Sequence, residues 1–132
     1  MKNFVAWVTK GLVCALLMFG APIASANTLD AAEKTRLQAS LLQFLESGRD
    51  ATGAFRVIDR DTGVVVNAHP GALHPKIVPF GVDYVLCIEM YDENGGRHDA
   101  DFILRKTADK WVVVDVLFDQ RDLLKKALSE ID

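Results

Sequence analysis

Residues 84–118 read YVLCIEMYDENGGRHDADFILRKTADKWVVVDVLF. Three runs rich in β-branched and aromatic residues, Tyr84 to Asp92, Ala100 to Lys106 and Trp111 to Phe118, are joined by Asn94-Gly95-Gly96 and Thr107-Ala108-Asp109. Short polar links of this kind turn a chain back on itself, so the stretch predicts three consecutive antiparallel strands. Side chains alternate between the faces of a strand. Leu86, Ile88 and Met90, Phe102 and Leu104, and Val112, Val114, Val116 and Phe118 are therefore expected on one core-facing side. Three-residue loops centred on Gly95 and Ala108 keep these sets together and fix what meets on the other face.

On that other face Glu89 is expected across from Asp101, Asp101 across from Asp115, Cys87 across from Ile103, and Arg105 across from Trp111. Three carboxylates would then stand in one row, with opposed Cβ atoms about 5 Å apart, and like charges so placed need compensation. A bound cation, a shared proton or Arg105 swinging in would supply it. Glu89, Asp101 and Asp115 are the candidate catalytic residues. The same face carries Val85, Tyr91, Ile103, Trp111, Val113 and Leu117. Acids mixed with large apolar side chains suit a groove or partner surface better than a plain solvated sheet, which makes Tyr91, Arg105 and Trp111 the candidate binding surface.

Upstream, residues 28–47 predict a helix with Thr28 as N-cap, Asp30 and Glu33 at its positive end, and Gly48 as its stop. Leu37, Leu41, Phe44 and Leu45 follow helical spacing. Phe55 to Asp59 and Val64 to Ala68, separated by Arg60-Asp61-Thr62-Gly63, read as a hairpin. His69 to Gly81 holds Pro70, Pro75 and Pro79 with two glycines, which predicts a loop or irregular edge rather than a central strand. Downstream, Asp119 is placed to cap a C-terminal helix with Leu123, Leu124, Ala127, Leu128 and Ile131 on its apolar face. The sum is an α+β fold: an N-terminal helix packed on an antiparallel sheet of about five strands, followed by a C-terminal helix. By element order this layout resembles the cystatin-like and nuclear-transport-factor-like architectures, which host inhibitors, binding modules and enzymes alike.

The first 26 residues differ from the rest. Lys2 and Lys10 precede an apolar run from Gly11 to Phe19, Gly20-Ala21-Pro22 breaks it, and Ala24-Ser25-Ala26 closes the segment with small side chains. This is the layout of a secretory signal peptide cleaved before Asn27. The run falls short of the ~20 apolar residues that a spanning helix needs. The expectation is therefore a periplasmic or secreted domain over residues 27–132, touching the membrane only through its leader before cleavage. Of 15 basic residues the leader takes Lys2 and Lys10, leaving 13 against 18 acidic and a net charge of -5.

An acidic chain lacks the basic footprint of a nucleic-acid binder. Its two cysteines, Cys14 and Cys87, cannot build a disulfide-dense scaffold or a four-thiolate zinc site. Cys87, between Leu86 and Ile88, reads as a small buried hydrophobe. His69-Pro70 and His74-Pro75 are the candidate metal ligands, imidazoles five residues apart with no third ligand adjacent. No cofactor is implied. The expected role is a small exported, non-catalytic binding or accessory protein of the bacterial cell envelope, taking an envelope protein or a small ligand on its outer sheet face. The alternatives are a carboxylate-dependent enzyme using Glu89, Asp101 and Asp115, and a metal carrier using His69 and His74.

Overall fold

A computed structural model describes residues 28–131; the leader read in residues 1–26 lies outside them. Helix α1 (Ala31–Gly48) is capped by Asp30, not Thr28: the Glu33 backbone N–H donates to Asp30 Oδ1 at 2.7 Å. A carboxylate satisfies a free N–H there and also faces the positive end of the helix dipole. Leu37, Leu41 and Leu45, at a spacing of four, form its buried stripe. Five strands follow: β1 (Phe55–Ile58), β2 (Val65–Phe80), β3 (Asp83–Asp92), β4 (Arg97–Thr107) and β5 (Lys110–Phe118), then helix α2 (Arg121–Ser129). The strands pair antiparallel in chain order, so the α+β layout of two helices and five strands stands.

The proline-rich stretch is strand, but of the edge kind. β1 covers only Val65 to Ala68 of β2, so His69 to Phe80 pairs with β3 alone. Three prolines without N–H groups are tolerable where one side of the strand has no ladder to serve. Register shifts between Pro70 and Leu73, and again between Leu73 and Ile77, absorb the remaining misfit.

Register departs from expectation at both later hairpins. Between β3 and β4 the pairing centres on Asn94 rather than Gly95, because Asp92 Oδ1 accepts the Asn94 and Gly96 N–H groups and tightens the turn. Every partner slides by two residues, which preserves the faces: Cys87 opposes Asp101 and Glu89 opposes Asp99. Between β4 and β5 the turn has two residues, Ala108 and Asp109, with Ala108 at φ 50. That odd register puts Trp111 opposite Lys106, and a bulge at Val114 then restores an even one, with Asp115 opposite Ile103. Trp111 and Val113 therefore join Val116 and Phe118 on the core side, while Val112 and Val114 are exposed.

The sheet has a core on each face. Under α1 lie Leu86, Ile88, Met90, Phe102 and Leu104, with Phe44, Phe55 and Phe102 in mutual ring contact. On the opposite face Val85, Ile103 and Leu117 pack against Leu124 of α2, with Leu128 alongside. α2 is the partner that the apolar side chains of the outer face await. Of its expected apolar face, Leu123 and Ile131 are exposed. Asp119 does not cap it; its carboxylate instead accepts the Asp99 N–H and meets His98.

Candidate functional site

The carboxylate row is dispersed. Glu89 accepts the Tyr91 hydroxyl at 3.1 Å and pairs with Arg97 at 2.8 Å and His74 at 3.5 Å. Asp115 pairs with Arg60. Asp101 pairs with Arg121 of α2, whose Nε lies 3.2 Å from Oδ2. The slide at Asn94 and the bulge at Val114 move each acid away from the others, and each meets a different arginine. Compensation comes from Arg60, Arg97 and Arg121, not from Arg105, which forks onto Asp83 at 2.8 and 2.9 Å.

Of the three candidate binding residues, Trp111 leaves the outer face altogether. It is buried, stacks edge-on against Tyr84, and its Nε1–H donates to Glu33 at 2.9 Å. Glu33 also meets Lys106 at 2.7 Å, and these bonds hold its carboxyl below the usual range. Trp111 thus ties α1 to β5. Tyr91 is exposed across from His69 on β2. His74 turns to Glu89, and no group of three metal-ligating side chains forms among the described residues.

What the fold does assemble lies where α2 crosses the sheet. A cleft of about 230 Å³ opens between α2 and strands β2 to β4, with Cys87, Asp101 and Arg121 at one side and Val78, Val85, Leu124 and Leu128 as apolar wall; His74, Lys76 and Lys125 complete it. Asp101 is 1% exposed, and neither of its oxygens receives a well-aligned hydrogen bond. Burial pushes its carboxyl up, against the pull of Arg121. Arg121 Nη2 also reaches the Cys87 sulfur at 2.9 Å and Asp99 at 3.6 Å. Burial, with the Asp101 charge next, pushes the Cys87 thiol up to about 11. A thiol so placed is protonated at neutral pH and a poor nucleophile. Alkylation of Cys87 by iodoacetamide at pH 7.5 is accordingly expected to be slow in the native protein and fast in urea. Equal rates would show the thiol open in the native state.

The sequence reading reached Asp101 and His74, and placed Leu128 on the apolar face of α2 without a role in a site, but missed Arg121, Lys76 and Lys125. A signal existed in α2: Arg121, Leu124, Lys125 and Leu128 share one helical stripe, which sets two cations beside the leucines that pack on the sheet. No protein-family model matches the chain, and no curated protein or solved structure is significantly similar to it.

Proposed function

We propose that the protein is a small exported, non-catalytic binding or accessory module of the bacterial cell envelope, acting through the cleft between α2 and the sheet. The observation that carries this reading is the pairing of an apolar wall with a buried carboxylate, Asp101, held by the partly exposed Arg121, in an open concavity. Binding sites share that composition: mostly apolar lining with a few placed polar groups. The leader-like first 26 residues support export. The separation of Glu89, Asp101 and Asp115 onto three arginines favours recognition over acid-base work by the three together.

The reading is tested by immobilising the protein and passing envelope extract over it, with the protein and low-mass fractions analysed separately. Leu128→Arg, which fills the cleft mouth, serves as the comparison. A component held by the wild type and lost by Leu128→Arg is the expected result. Retention of nothing, or of the same components by both, overturns the reading.

A further inference from the structure

We infer that the cleft between α2 and the sheet binds a small amphipathic anion, an aliphatic carboxylate of a few carbons, with its chain on Val85 and Leu128 and its charge facing Lys76 and Lys125. This rests on the binding reading above and names the ligand class. The first argument is charge. The chain is net -3, yet the cleft lining sets Lys76, Arg121 and Lys125 against Asp101 alone. Arg121 is engaged with Asp101, Asp99 and Cys87, so it neutralises the floor and leaves little for a ligand.

The two lysines are differently placed. Lys76 has no ion-pair partner among the described residues. Lys125 has a 3.4 Å contact to Asp122, whose side chain is 99% exposed, and water screens such a pair. Both ammonium groups can therefore turn to an anion, and both repel an amine. The apolar wall distinguishes an amphipathic anion from a purely inorganic one, which would gain nothing from Val85 and Leu128. Size limits the chain: about 230 Å³ lies below the ~300–1,000 Å³ of sites for drug-sized ligands.

The test is an amide NMR titration of the protein with hexanoate, hexan-1-ol, acetate and hexylamine. Hexanoate is expected to produce saturable shifts at Val85, Cys87 and Leu124, with hexan-1-ol and acetate at least tenfold weaker. Combining Lys76→Gln with Lys125→Gln is expected to weaken hexanoate at least tenfold and to leave hexan-1-ol unchanged. Both lysines are exposed, so an unchanged Tm checks that the fold is kept. No saturable shift with hexanoate, shifts confined to other residues, or equal binding of hexylamine overturns the anion assignment. Retention lost with Leu128→Arg reads the cleft whatever its ligand, so the two failures are separable.

Discussion

Asp101 shows how a single residue's cost depends on its neighbour. A carboxylate 1% exposed loses its hydration, and the Arg121 guanidinium at 3.2 Å is the largest offset to that loss. Truncating Arg121→Ala leaves the charge uncompensated. Arg121 is itself 39% exposed, so the loss falls below that of a fully buried pair, at about 2–3 kcal/mol near pH 8. The carboxyl has a further escape, because burial already raises its folded value above the ordinary 3.8. Its unfavourable contribution is complete above that folded value and fades as pH falls through it. Urea melts of Arg121→Ala and wild type at pH 8 and pH 5 are expected to differ less at pH 5. An equal loss at both would mean that packing of the arginine stem, not charge, sets the cost.

At the scale of elements, what could be read ahead depended on whether parity alone decided the outcome. The core side of β3 and β4 was legible, because Leu86, Ile88, Met90, Phe102 and Leu104 keep their face when the hairpin slides by two. The faces of Trp111 and Val113 were not, because a two-residue turn and a bulge change parity and change it back within one strand. Four successive apolar residues, Trp111 to Val114, carry no alternation to betray a bulge. The acid row failed differently: both registers end two residues from the expected ones at Asp101, with Cys87 and Leu117 opposite it, a slide that parity does not reveal, while α1, α2 and the strand count depended only on periodicity. The turn has its own signature in Ala108, an alanine at φ 50. The left-handed region costs a residue with a Cβ about 1–2 kcal/mol, and glycine's extra unfolded freedom returns about 0.5–1 of that. Ala108→Gly is therefore expected to stabilise by about 0.5–1 kcal/mol in denaturant melts. A destabilised variant would indicate that the Ala108 methyl makes a contact worth more than the strain.

For the whole molecule, pH acts on a network of ionised contacts. His98 on β4 sits 3.1 Å from Asp92, at the end of β3, and 2.6 Å from Asp119, between β5 and α2, and it stacks on Phe118 at 4.9 Å. It joins the β3–β4 turn to the segment that starts α2. Asp119 is the stronger cause holding its pKa above the ordinary 6.5, with Asp92 adding to it against partial burial. A group raised in this way binds its proton more tightly when folded, so its stabilisation is complete below 6.5 and lost as pH rises through the folded value. Asp101 tilts stability the same way. Glu33, Asp50, Asp59, Glu89 and Asp92 act in the opposite sense: hydrogen bonds hold each below its ordinary value of 3.8 or 4.5. Their contribution is complete above those ordinary values and is lost as pH falls through the lower folded ones. The lowered carboxylates and His98 bound a range between about pH 4.5 and 6.5, within which Asp101 alone adds a decline as pH rises above 3.8. Tm measured from pH 3 to pH 9 is expected to fall on both sides of it. His98→Gln separates the causes: glutamine cannot titrate, so the alkaline fall should shrink while the acid limb stays. An alkaline fall unchanged in His98→Gln would remove His98 as its cause and as the clasp between the β3–β4 turn and the start of α2.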